Sequence, residues 1–208
     1  MRLPRELDAV EIRVLGCLLE KEQTTPDAYP LSVNALVGAC NQRSNRDPVM
    51  GLSHQDVEGA LDRLHAEVLV WPVEGSRTAK WRHSLDRKWD LSPETRAVMA
   101  VLLLRGAQTA GEIRARTERM HPFSSTAEVE RVVAALAAGD DPLTVHLARQ
   151  PGQKEARWTH LVGGAPQAPT AVFEPTAHEP PSPGLSQRVA ELEARVAKLE
   201  AALDRLTR

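Results

Sequence analysis

The chain repeats itself, and the length of the repeat limits what it can fold into. At an offset of 72, Ser53, Asp56, Val57, Glu58, Leu61 and Leu64 line up with Ser125, Glu128, Val129, Glu130, Val133 and Leu136. At an offset of 77, Ala79-Lys80-Trp81-Arg82-His83 lines up with Ala156-Arg157-Trp158-Thr159-His160. Solenoid units recur every ~20–50 residues, so a period this long describes a whole small domain present twice.

Periodicity gives the content of each copy. Leu7, Val10, Val14 and Leu18 predict a helix from about Asp8 to Lys21. Val33, Leu36, Val37 and Cys40 predict a second, with Ser32 as its N-cap. Val57, Leu61, Leu64 and Val68 predict a third, opened by Ser53 with Asp56 at capping-box spacing. The period then changes, and VLVWPV, the turn EGSR and TAKWRH predict a β-hairpin. The same order returns. Ser92-Pro93-Glu94 sets a cap and a proline at a helix start, and Thr109/Glu112 and Ser125/Glu128 predict two further capping boxes. LTVHLA and ARWTHL form a second hairpin around RQPGQKE. Three helices followed by a hairpin define a winged helix. The expected fold is therefore mainly α with small β-hairpins (α+β), in two tandem winged-helix domains at 1–90 and 91–162.

Beyond them the composition shifts. Six of the fifteen prolines fall within 163–184, which predicts an extended linker. Within 185–208, Leu185, Val189, Leu192, Val196, Leu199, Leu203 and Leu206 alternate spacings of four and three. This is a heptad seam, and Arg188 and Arg195 face Glu193 and Glu200 only if two copies run parallel. A homodimer through this C-terminal helix is expected; the alternative is an amphipathic helix folded back on the body.

Composition narrows the function. Aromatics are only 3% of the chain, so its cores must be built of Leu, Val and Ala. With 26 basic against 28 acidic residues, no global positive field marks a nucleic-acid binder. The apolar runs Val98–Leu104 and Val132–Ala138 are far shorter than the ~20 residues of a membrane helix. MRLPRELDAV lacks the apolar stretch of a signal peptide, and Cys17 and Cys40 form neither a metal nor a disulfide pattern. A cytoplasmic protein without membrane partners and with reduced thiols is expected.

No phosphate loop, dinucleotide fingerprint or HExxH motif is present, and Ser53 in Gly51-Leu52-Ser53 reads as a helix cap rather than a nucleophile. No enzyme, catalytic residue, metal site or cofactor is expected. His83, His160, Trp81 and Trp158 are expected to serve the hairpins themselves. The most unusual stretch runs from Ala39 to Gly51, where Asn41, Gln42, Arg43, Asn45 and Arg46 cluster between the second and third helices. Two readings stand for it: side chains that bond their own backbone, and a polar recognition surface.

LEKEQTTPDAYPLSVNALVGACNQRSNRDPVMGLS, LLLRGAQTAGEIRARTERMHPF and LARQPGQKEARWTHL resemble the YceH family of bacterial proteins over roughly residues 7–162 and the heptad tail. The resemblance implies a tandem winged-helix fold and carries no established activity or site residues.

Winged helices commonly dock their third helix in the DNA major groove. Here that helix carries Asp56, Glu58, Asp62 and Glu67 against Arg63, and its second copy Glu128 and Glu130 against Arg131, the wrong sign for lying between phosphate rows. The wings differ. Residues 77–88 carry a net +4 from Arg77, Lys80, Arg82, Arg87 and Lys88 against Asp86, and Arg149, Lys154 and Arg157 against Glu155 give the second wing +2. Arg114, Arg116 and Arg119 against Glu112 and Glu118, with Arg105 just upstream, add a further basic stretch. The expected function is a DNA-associated or regulatory protein that contacts duplex phosphates through Arg77, Lys80, Arg82, Lys154 and Arg157. The alternative is a protein–protein adaptor that binds no DNA.

Overall fold

Capping sets where the helices begin. In the computed structural model, which describes residues 5–73, 78–149 and 153–165, Asp8 accepts the amides of Val10 and Glu11 while Glu11 accepts the amide of Asp8. This box opens α1 (Ala9–Thr24). A short 3-10 turn (Pro26–Ala28) and β1 (Leu31–Ser32) lead into α2 (Val33–Cys40), capped by Ser32. Ser53 and Asp56 box the start of α3 (His54–Ala66). The first hairpin is β2 (Val70–Val73) and β3 (Lys80–His83), followed by the single turn α4 (Leu85–Lys88). Ser92 and Pro93 start α5 (Pro93–Arg105), and Thr109 with Glu112 boxes α6 (Ala110–Thr117). In α7 (Thr126–Leu136) the predicted box does not close. Ser125 accepts the amide of Glu128, but the Glu128 carboxylate instead takes the amide and hydroxyl of Ser124. β4 (Thr144–Leu147) and β5 (Arg157–His160) complete the chain of elements.

The result is a mixture of helices and two small antiparallel sheets, consistent with an α+β chain. β3 pairs antiparallel with β2 on one side and with β1 on the other, in the order β1-β3-β2. Sequence reading missed β1, whose two residues are too few to show a period. Its pairing Leu31–Trp81 reappears 77 residues on as the bridge Gln108–Trp158, where each amide donates to the other's carbonyl at 2.9 and 2.8 Å. Trp81 and Trp158 thus hold equivalent places, as do His83 and His160, which pair with Val70 and Thr144.

The described residues fall in one compact unit, because α5 serves two cores at once. Every residue from Ala97 to Leu104 is buried, and a helix that is apolar all round must be covered all round. Met99, Ala100, Leu103 and Leu104 join the first repeat's core with Leu15, Leu18, Leu36, Leu61 and Leu64. Val98, Val101 and Leu102 join Ile113, Phe123, Val129 and Val133 in the second. α1 reaches α5 at Gly16, where a Cβ would lie 2.9 Å from the Leu104 side chain and 3.1 Å from the Leu103 Cβ. Cys17 and Cys40 are free thiols in the first core. Among the described residues no helix is long and apolar enough to cross a membrane. Arg77, the linker from 166 onward and the seam residues Leu185, Val189, Leu192, Val196, Leu199, Leu203 and Leu206 lie outside the described residues.

Gly16→Val should therefore cost about 1–3 kcal/mol by overpacking the α1–α5 contact, read as a lower urea midpoint at unchanged m-value. A second outcome concerns His160, whose Nδ1 is buried without a hydrogen-bond partner and whose pKa burial pushes down to about 4 from 6.5. The unfolded imidazole takes its proton first, so this contribution to stability is full above about pH 6.5 and is lost as pH falls toward 4. The loss amounts to at most about 3 kcal/mol. Unfolding titrations of His160→Gln should show a flatter stability profile than the parent between pH 6.5 and 5; equal slopes would remove His160 from that role.

Candidate functional site

The polar loop reaches the second repeat at Asp47, and Asn41, Gln42 and Arg46 are its inward-drawn polar side chains. Asn41 clasps Leu52 in both directions: its Nδ2 donates to the Leu52 carbonyl at 2.8 Å and its Oδ1 accepts the Leu52 amide at 2.7 Å. Arg46 is buried and donates to the Glu20 carboxylate at 2.6 and 3.0 Å, to the carbonyls of Ala39 and Asn45, and to the side chain of Gln42. Burial opposes the charge on Glu20, yet Arg46 and Lys21 hold its carboxyl below the usual carboxylate range. Beneath the loop the buried Arg13 donates to the carbonyls of Cys40 and Pro48 at 3.2 and 2.6 Å. Asn41 thus bonds the loop's own backbone, while Arg46, together with Gln42, ties the loop to α1 through Glu20.

The outer part of the loop does something else. The Asp47 amide donates to the Leu104 carbonyl at 2.9 Å and so caps the end of α5. Asn45, at φ +57, accepts Arg105 Nη1 at 3.1 Å. Arg43 and Ser44 stay exposed. Between the loop, the end of α1 and helices α5 and α6 lies a cavity of about 530 Å³. Lys21, Arg43, Arg105, Arg116 and Arg119 line it, with Glu20 as the one carboxylate of the lining. The sequence shows this basic stretch at 105–119 but not that it faces the loop.

The predicted phosphate contacts separate into two kinds. Lys80, Arg82 and Lys154 are partly or fully exposed and make no ion pair among the described residues. Arg157 instead donates to the Glu112 carboxylate and to the Ala107 carbonyl at 2.8 and 2.9 Å, tying β5 to the start of α6. Arg77 lies outside the described residues. Around the first hairpin, a groove of about 490 Å³ brings Arg82, Arg87 and Lys88 beside Trp71, which is 45% exposed, with Asp86 as its carboxylate. His83 is spent on structure. Its Nδ1 accepts the Leu85 amide, which leaves Nε2–H to donate to Glu22 at 2.9 Å, and its amide donates to the Tyr29 hydroxyl.

The third helices keep the charge read from sequence. On α3 the outward residues include Asp56, Glu58 and Asp62, while Arg63 is drawn back to Asp8 and Glu11 at 2.7 and 3.1 Å. Hydrogen bonds from the Ser53 hydroxyl and amide hold Asp56 ionised below its ordinary range.

A family model described as a protein of unknown function, DUF480, matches residues 7–153. A UPF0502 protein of Chromobacterium violaceum is 50% identical over 198 residues, covering 94% of this chain and 88% of that protein. A UPF0502 protein of Pelobacter propionicus is 50% identical over 196 residues, 93% of this chain and 90% of its own. One from an Acidovorax species is 42% identical over 209 residues, 97% and 93% respectively. The chain belongs to the DUF480 family of uncharacterised bacterial proteins.

The Arg46–Glu20 pair yields a double-mutant prediction. Glu20→Gln leaves a buried guanidinium without its counter-charge and should cost about 3–5 kcal/mol in chemical denaturation. Adding Arg46→Met should recover most of that loss, since neither buried charge then remains. An additive double variant would mean the two groups do not act as a pair.

Proposed function

We propose that this member of the DUF480 family is a non-enzymatic, DNA-associated regulator built of two tandem winged helices. It holds duplex phosphates with its hairpins rather than its third helices. The order of three helices and a hairpin occurs twice, with the YceH resemblance in agreement, and supports the winged-helix assignment. The observation that carries the DNA reading is the placement of charge. Lys80, Arg82, Arg87 and Lys88 sit on β3 and α4 with little carboxylate about them, whereas the outward face of α3 is acidic and its Arg63 is already paired. Phosphate contacts of this kind position a protein on a duplex without reading its bases. Lys154 offers a further contact on the second hairpin. Arg157 is assigned to the fold, because its guanidinium is engaged by Glu112. The heptad seam at 185–206 would pair two copies in parallel and so double the number of phosphate contacts.

A protein–protein adaptor is the second reading, and a specific feature favours it. Trp71 and Val68 are 45% and 44% exposed on the rim of the same groove, the kind of apolar anchor that protein interfaces use.

Fluorescence anisotropy of a labelled random duplex, titrated from low to physiological salt, separates the two. Contacts from Lys80, Arg82, Arg87 and Lys154 give a log–log salt slope of about −3.6 for each chain engaged. Reversing Arg82 and Arg87 to Glu should cut the magnitude of that slope by about 2, while Arg157→Gln should lower thermal stability and leave the slope unchanged. Absence of binding at low salt overturns the DNA reading and leaves the adaptor.

A further inference from the structure

The cavity under the polar loop is not part of the hairpin surface, and its lining has a chemistry of its own. Five cations face about 530 Å³, a volume typical of small-molecule sites. The one carboxylate among them, Glu20, is already committed to Arg46 at 2.6 Å and to Lys21 at 3.4 Å. Arg105 Nε and Arg116 Nη1 are buried and make no hydrogen bond. A buried guanidinium N–H without a partner costs free energy, so two of the arginines that line the cavity keep a donor without an acceptor. Helix-end carbonyls do not take this role, since the carbonyl of Leu104 is occupied by the Asp47 amide. Arg116 reaches its nearest carboxylate, Glu112, only at 3.8 Å, and that group is held more closely by Arg157 at 2.8 Å.

We propose that this cleft binds a small organic phosphate carrying at least two negative charges. Arg105, Arg116 and Arg119 would take the phosphate oxygens, and Lys21 and Arg43 would close over them from the first repeat. Arginine forks match tetrahedral oxyanions, and several together fit a phosphate chain better than a single carboxylate. The rest of the lining describes the rest of the ligand. Thr24 and Thr25, whose hydroxyls donate to the Glu20 and Lys21 carbonyls, offer acceptors for a polar, sugar-like portion beside Ser44, and Val101, Leu104 and Met120 form an apolar wall for a flat or aliphatic one. One wall comes from α1 and the loop, the other from α5 and α6, so an occupant joins the two repeats. None of the hairpin cations lines this cleft, so phosphate binding here does not depend on DNA contact by the hairpins.

Isothermal titration of the full chain at low ionic strength tests it, using pyrophosphate, ATP without divalent cation, citrate and adenosine as probes. ATP or pyrophosphate should bind saturably at one site per chain. Arg43→Glu and Arg119→Glu alter exposed side chains, so both variants should keep the parent melting temperature without ligand. Each should weaken phosphate binding by about tenfold or more. Arg82→Glu/Arg87→Glu should leave it unchanged. Three results would each overturn the proposal: no saturable binding of either phosphate, citrate or adenosine binding as tightly as ATP, or an equal loss on substituting the hairpin.

Discussion

The contact between α1 and α5 is the one on which the other features rest. Gly16 lets the two helices approach until the Leu103 and Leu104 side chains fill the space a Cβ would need. Burial of each such leucine is worth about 1.5–3 kcal/mol, and α5 gains it on both faces because it belongs to both cores. A helix placed this way is stable only when each repeat is folded against it. The duplicated units consequently share one body, and the far ends of α1 and α5 are fixed as neighbours. The amide of Leu7 adds to this by donating to the Val162 carbonyl at 2.8 Å, joining the start of the first repeat to the end of the second.

Charges inside this frame are used to tie segments together. Glu11 is fully buried and accepts Arg5 at 2.6 and 2.8 Å, Arg63 at 3.1 Å and the Asp8 amide, so one carboxylate joins the leading segment, α1 and α3. Glu20 does the same for α1 and the polar loop through Arg46, and Glu22 for α1, β3 and α5 through His83 and Arg96. Pairs of this kind return little net stability against a well-packed apolar alternative, but losing one partner is costly, so they fix where a segment lies. They also have an electrostatic consequence. Once α1 has spent its carboxylates on these ties, the arginines across the cleft receive little from it, and Arg116 meets Glu112 of its own helix only at 3.8 Å.

Much of this frame was legible in the sequence, and the parts that were not have identifiable causes. Helix starts were readable because caps are local: Ser32, Ser53, Ser92 and Thr109 all cap as their spacing predicts. The failure at Glu128 is local too, since Ser124, the residue before the cap, offers both an amide and a hydroxyl in place of the single cap amide. β1 was illegible because its two residues are held by Trp81 across the sheet rather than by any pattern of their own. The double burial of α5 did leave a signal, the unbroken apolar run Val98–Leu104, which reads as two-sided burial once a membrane is set aside. The cleft left only half of one. Arg105, Arg116 and Arg119 stand out in the sequence, but Asn45 and Arg43 come from 60 or more residues away, and only the α1–α5 contact brings them together.

Comparison of the two repeats shows how one scaffold came to offer different surfaces. Lys80 and Arg157 occupy equivalent places, 77 residues apart, on β3 and β5. In the second repeat Glu112, three residues past the cap Thr109, closes the capping box and captures Arg157. The equivalent residue in the first repeat, three past the cap Ser32, is Ala35, which offers only its amide to the cap. With alanine there, α2 lacks the second half of a box and Lys80 lacks a carboxylate. That difference leaves Lys80 outside the tie that Arg157 makes to its neighbouring helix. The long loop acts in the same sense: the first repeat uses 41–52 to cover the end of α5, where the second has only a short connection before α7. The first repeat thus combines a hairpin whose Lys80 and Arg82 make no ion pair among the described residues with the loop that forms one wall of the cleft, while the second uses Arg157 and Glu112 to hold its hairpin to α6.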